Sequence, residues 1–353
     1  MLEVEPLSTI GIGSVPFVKG ENACEEIFKN WGIPFWPQYP GRSLRENFVF
    51  QFLRTFPGLK VSRAKASFDE TQYRREERKY LRRLKFAIRH CEGTKCLRND
   101  NINSFEPLSD WAFGYSQMKV LLNKNAFPDR KIIKLQVTGP ATIWNSFFKK
   151  RISRNLSPSV EKTLTAALTA AGLAQIQRIL ANKKTPLIFI DEPVQLTRQE
   201  DDAGISQMVN SFKGVGALVG LHVCSNPDWE DFSGLNLDVF HFDSTAYDKL
   251  ERSQYRFLQN HLKKGKWIAW GAVSTLERTK NNREKLLKQI KQMADSYLTW
   301  EDILNRSLLA PACGMGGLKP EQDGPIFENL RALAVELRTL RDKKVKKRLT
   351  LLP

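Results

Sequence analysis

The sequence predicts an α/β fold, a TIM-type (β/α)8 barrel with a helical insertion after its early strands. Short apolar runs alternate with longer helical patterns, as expected of βα units around a parallel sheet. Eight such runs can be counted, the number a closed barrel requires. The chemically distinctive residues also follow these runs, and in parallel barrels the carboxyl ends of the strands form the active-site face. A length of 353 residues suits one such domain.

Taken in order, the expected strands are residues 8–12, 33–36, 132–137, 186–190, 217–223, 237–242, 267–270 and 307–311. The first leads into Gly13-Ser14. The second is bracketed by Pro34 and Pro37, which cannot donate to a ladder. Residues 41–125 exceed one βα connection and read as an inserted helical region, with 73–90 helical. The third strand runs into Thr138-Gly139-Pro140. Ser157 is the expected N-cap of the next helix, with Pro158 at its first position and an Ala- and Leu-rich run to Ala181. The fourth strand ends in Asp191-Glu192-Pro193, the fifth carries His222 and reaches Cys224, and the sixth leads to Asp243-Ser244. The seventh meets Gly271 and the eighth Cys313-Gly314. The expected organisation is a single barrel domain over 1–340 and a basic C-terminal tail over 341–353, without internal repeats or low-complexity stretches.

Composition narrows the function classes. Hydrophobic residues make up 41% of the chain, a value typical of soluble globular proteins. No unbroken apolar window approaches the length of a membrane span. The first residues lack a basic segment followed by an apolar one, so a cytoplasmic location is expected. Five cysteines form an odd, sparse set, which favours metal or thiol chemistry over a disulfide framework. The formal charge of +17 is concentrated in two runs, residues 74–83 and 341–348. These read as solvated helix faces and a frayed end, or as a docking surface for an acidic protein. Nucleic acid is the weaker alternative, because Tyr80 is the single aromatic among these charges and the runs are not interleaved with a series of aromatics that could stack bases.

His222 and Cys224 stand two apart at a strand end, and on an extended chain such residues project to the same side. Asp243 ends the neighbouring strand, and Cys313 supplies a second sulfur from the last one. Imidazole with thiolates favours zinc over magnesium or calcium. Four protein ligands normally close a structural zinc site. Asp243 is therefore expected to be the displaceable member, leaving room for a substrate sulfur. A lone His-x-Cys is a weak signal, and convergence with Cys313 on the same barrel mouth strengthens it. His90-Cys91 with Cys96 reads as a helix end and a turn rather than a second metal clip. Cys24 reads as helix packing.

At these residues the sequence resembles the catalytic barrel of cobalamin-independent methionine synthase, in the superfamily that includes uroporphyrinogen decarboxylase. The family pattern of His-x-Cys, an acidic residue after the next strand, and a distant Cys-Gly matches His222, Cys224, Asp243 and Cys313. Asp-Glu-Pro matches Asp191-Glu192-Pro193, Ile-Gly-Ser matches Ile12-Gly13-Ser14, and Thr-Gly-Pro-x-Thr-Ile matches residues 138–143. The resemblance implies that Asp191 grips the amino group of homocysteine and Ser14 its carboxylate end, with Glu192 supporting Asp191. It implies substrate contacts by Gly139 and Trp144 as well. This chain has Asp243 where the family usually has Glu, and Ser146 where the family's folate-stacking Trp lies. The segment Ile33-Pro34-Phe35-Trp36-Pro37-Gln38 is similar to one in short, single-barrel relatives that look like enzymes taking the methyl group from a corrinoid protein.

The resulting expectation is a zinc-dependent methyltransferase of methionine biosynthesis that methylates homocysteine, with methylfolate or a methylcorrinoid protein as donor. Its rivals are another thiol methyltransferase of the superfamily, such as a methylcobalamin:coenzyme M enzyme, and a non-catalytic zinc-stabilised barrel.

Overall fold

A computed structural model of the chain describes residues 2–18, 22–91, 100–193, 199–224, 228–275, 283–294 and 298–349. Cys96 lies outside the described residues.

Helix α1 (Ala23–Asn30) is capped by Asn22 and buries Cys24, Ile27 and Phe28. Within residues 41–125 follow an antiparallel hairpin, β1 (Leu59–Val61) and β2 (Ala66–Phe68), and three helices. These are α2 (Glu70–Arg89), α3 (Asp100–Asn103) and α4 (Phe113–Asn123). Asp69 caps α2, whose basic residues lie largely exposed while Tyr73, Tyr80, Leu84 and Ala87 are buried.

Six parallel strands then alternate with helices. They are β3 (Ile132–Thr138), with α5 (Pro140–Ile143) and α6 (Ser157–Ala181) after it, and β4 (Thr185–Glu192), followed by α7 (Gln199–Gly214). Next come β5 (Leu218–Val223), β6 (Val239–Phe242) with α8 (Arg252–Lys263), and β7 (Trp267–Val273). Helices α9 (Arg283–Met293) and α10 (Trp300–Asn305), strand β8 (Ser307–Pro311) and helix α11 (Asp323–Leu349) follow among the described residues. Each strand is almost wholly buried, which explains their near-continuous apolar sequences.

The closed eight-stranded barrel is corrected by this structure. Among the described residues the sheet has six strands in the order β3-β4-β5-β6-β7-β8, and it is open. Residues 8–12 and 33–36 form no strand. They make isolated parallel bridges, Thr9 to Leu309, Ile10 to Ile33 and Phe35 to Lys134. The physical reason lies in their sequence. Pro34 and Pro37 cannot donate ladder bonds. Gly13 sits at φ 149°, and a Cβ at Gly11 would lie 2.2 Å from the Phe35 ring. Side chains on β3 supply part of the missing pairing. The Lys134 ammonium donates to the Ile12 carbonyl, and Gln136 Nε2 donates to Trp36 O at 2.9 Å. Both side chains are fully buried. Smaller differences concern ends: Ser157 is the first residue of α6, with Leu156 as cap, and the expected tail is helical as far as Leu349.

The sheet separates two apolar cores. The larger lies between the sheet and its helices. The smaller sits on the concave face, where Leu187, Phe189, Leu218, Val239, Ala269 and Leu308 meet. Helix α6 is long and apolar enough to cross a membrane by composition, yet 83% of that stretch is buried inside the protein. Gly172 admits its close packing on α7, since a Cβ there would approach the Phe212 ring to 2.4 Å.

Candidate metal centre

Strand alternation decides which side chains reach the concave face. On β4, Leu187 and Phe189 join the inner core and Asp191 continues their side. On β5, Leu218 does the same and sets His222 and then Cys224 inward. On β6, Val239 sets His241 inward. The registers put Asp191 opposite His222, and His222 opposite His241. One row of strand ends therefore carries a carboxylate and two imidazoles.

The structure brings His222, Cys224 and Cys313 together. One ligand atom from each lies within 4.8 Å of the others, about twice a zinc–sulfur bond of ~2.3 Å. Cys224 Sγ stands 2.8 Å from His222 Nε2 and 3.0 Å from Cys313 Sγ. The donor set of one imidazole nitrogen and two sulfurs fits zinc, and it is the chemistry of an ion with one position left for substrate. The two sulfurs share protons. Contact with Cys313, then burial, push the Cys224 thiol up, whereas contact with Cys224 holds Cys313 below its ordinary value. Burial, helped by His241 and Lys134, pushes His222 well down, so its imidazole is neutral.

Asp243 lies outside this group. Its Oδ1 accepts from Thr245 N at 2.8 Å and Thr245 Oγ1 at 2.7 Å, capping the turn after β6.

A cavity of about 610 Å³ opens beside the cluster, with Asp191, His222, Cys313, Ser14 and Gly314 in its wall. Asp191 is 8% exposed, and among the described residues its buried Oδ1 has no hydrogen-bond partner. An unpaired buried polar atom costs about 1–3 kcal/mol, so this oxygen is a vacant acceptor. Burial pushes its carboxyl up to about 7, against the opposing charge of Lys134. Ser14 Oγ accepts from Gly316 N at 3.2 Å, which leaves its hydroxyl hydrogen to donate elsewhere.

Glu192 points away from the cavity. Its two oxygens accept from Ala141 N at 3.1 Å and Thr142 N at 2.8 Å, tying β4 to the first turn of α5. Gly139 permits this approach, because a Cβ there would lie 2.0 Å from Glu192 Oε1. Trp144 is buried and stacks on Phe148 at 6.4 Å. Neither Gly139 nor Trp144 lines the cavity.

Sequence reasoning missed two inward-facing groups, His241 and Lys134. Both stand at period two among apolar strand residues, and that spacing was the available signal. The Lys134 ammonium lies 5.1 Å from the Phe189 ring and 3.2 Å from Gln136 Oε1, and burial pulls it down to about 8.

No protein-family profile and no curated protein matches the chain. Among solved structures, it is similar to a B12-independent methionine synthase from Shewanella sp. W3-18-1 in complex with selenomethionine. Identity is 17%, the TM-score is 0.44, and the match covers 66% of this chain and 68% of the other.

Proposed function

We propose that the protein is a zinc-dependent S-methyltransferase that methylates the thiol of homocysteine, with methylfolate or a methylcorrinoid protein as donor. The observation that carries this reading is the His222, Cys224, Cys313 cluster, of which His222 and Cys313 stand in the wall of a cavity that Asp191, with its unpaired buried oxygen, also lines. Of the residues read from the sequence, Ser14, Asp191, His222 and Cys313 line this cavity, whereas Gly139, Trp144, Glu192 and Asp243 do not.

Zinc held by His222, Cys224 and Cys313 would act as a Lewis acid that favours the thiolate form of the substrate at neutral pH. Asp191 accepts the substrate's ammonium and satisfies its own unpaired oxygen in doing so. Ser14 donates to the substrate's carboxylate end. Glu192 is a positioning residue, holding the 139–142 turn against β4. In the transfer the substrate sulfur gives an electron pair to the methyl carbon. The S–CH3 bond forms as the donor–CH3 bond breaks, and the donor leaves with that bond's electrons. The chain's contribution is orientation of acceptor and donor in line.

Asp191 discriminates between the superfamily's thiol acceptors. A vacant buried carboxylate oxygen suits an ammonium-bearing thiol and opposes a sulfonate such as coenzyme M. A purely structural zinc site has no need of the adjoining cavity. The test is metal analysis followed by methyl transfer from methylfolate and from methylcobalamin. Homocysteine should accept the methyl group, and thiols lacking the amino group should accept it far more slowly. Zinc-replete protein that methylates no thiol from either donor would refute the reading.

A further inference from the structure

We propose that His241 is a positioning residue that fixes the tautomer and ring orientation of His222, presenting its Nε2 as a bare lone pair beside Cys224 and Cys313. Its value to a metal rests on the reading above, but the tautomer assignment does not.

The proton inventory follows from partners that can play one role only. The Pro311 carbonyl can only accept, so His241 Nε2, at 3.1 Å from it, carries a hydrogen. His241 is completely buried and its Nε2 hydrogen is already paired, so a second ring hydrogen would bury an uncompensated charge and its Nδ1 is bare. His222 Nδ1 stands 2.6 Å from that bare nitrogen. Two lone pairs cannot face each other at this distance, so His222 Nδ1 carries the hydrogen and donates it. His222 is 1% exposed and equally unfavourable as a buried cation, so it carries a single ring hydrogen, which is now spent. Its Nε2 is therefore bare, and it lies 2.8 Å from Cys224 Sγ. The opposite tautomer would bring lone pairs together on one side and place a hydrogen where a metal would bind.

The relay also registers strands. Pro311 ends β8, two residues before Cys313, while His241 is on β6 and His222 on β5. A single chain of hydrogen bonds thus links the orientation of the imidazole to the strand that bears the second sulfur. Partners of this kind around metal-binding histidines typically change metal affinity by about 10–100-fold.

Nitrogen-15 spectra of the metal-free wild-type protein test the assignment without any substitution. His222 should show Nδ1–H with a bare Nε2, and His241 the reverse. A hydrogen on Nε2 of His222 would overturn the proposal, whether or not the protein binds metal. Zinc affinity by chelator competition tests the consequence. His241→Phe, which keeps the volume and loses the relay, should weaken zinc binding by about 10–100-fold. His241→Gln, which can accept and donate at similar places, should restore most of it. Wild-type affinity in His241→Phe would refute the positioning role while leaving the zinc reading intact. Wild-type protein that takes up no zinc would refute the zinc reading, and the nitrogen spectrum would still decide the tautomer.

Discussion

Cys224 and Cys313 stand 89 residues apart in the chain and hold their sulfurs 3.0 Å apart at the ends of β5 and β8. A disulfide needs about 2.05 Å, so a small movement joins them. Metal-free protein treated with a mild oxidant should lose two of its five thiols, and peptide mapping should find Cys224 linked to Cys313. Zinc loading should protect both. Oxidation at unchanged rate in zinc-loaded protein would place the ion elsewhere.

Substrate capture should depend on pH through Asp191. Its carboxyl sits near 7 in the folded chain, above its ordinary value of 3.8, so burial disfavours the ionised form. Capturing an ammonium needs that ionised form. The kcat/KM for homocysteine should therefore fall as pH drops below about 7. Asp191→Asn should flatten this limb and lower kcat/KM by about 10–100-fold, the value of a hydrogen bond to a charged group. The sign for stability is opposite. A raised carboxyl contributes stability below its unfolded value and loses it as pH rises through about 7. Substrate-free Asp191→Asn should then resist denaturant better than wild type above that pH. An acid limb that survives in Asp191→Asn would assign it to another group.

Lys134 opposes the shift of Asp191, since its buried charge favours the carboxylate. Lys134→Met should therefore move the acid limb upward in pH. It should also destabilise residues 10–14, because the Ile12 carbonyl loses its donor. A limb that stays in place, with only stability lost, would make Lys134 a purely structural residue.

Glu192 acts through the turn it caps. Glu192→Ala should cost about 1–2 kcal/mol in denaturant titration, as for other lost helix caps. Gly139→Ala should cost more, because its new methyl would lie 2.0 Å from the Glu192 carboxylate. Zinc uptake should survive both substitutions. Loss of zinc without loss of stability would move Glu192 into the metal's own surroundings.

The parts of this molecule legible in the sequence are those written in strong local patterns. Residues 307–311 and 132–137 were recognisable as strands because parallel strands buried on both faces read as unbroken apolar runs. His222 and Cys224 were legible because a spacing of two on a strand fixes a common side, and Cys313 because it follows another strand end. Residues 8–12 and 33–36 were misread because apolar content outweighed the breaks made by Gly11, Gly13, Pro34 and Pro37. Bonds from Lys134 and Gln136, a hundred or more residues away, hold those segments in place, and no local pattern shows that. Asp243 was legible in position, whereas the turn that brings its Oδ1 to Thr245 was not. His241 went unrecognised because its role depends on a nitrogen facing another nitrogen across two strands.

The most direct measurement is X-ray absorption at the zinc edge, taken before and after homocysteine is added in excess. The spectrum should show two sulfurs and one imidazole nitrogen from the protein, and the sulfur count should rise by one when homocysteine binds. A metal shell that homocysteine leaves unchanged, or one without the two cysteine sulfurs, would contradict a zinc centre built by His222, Cys224 and Cys313 to activate a thiol.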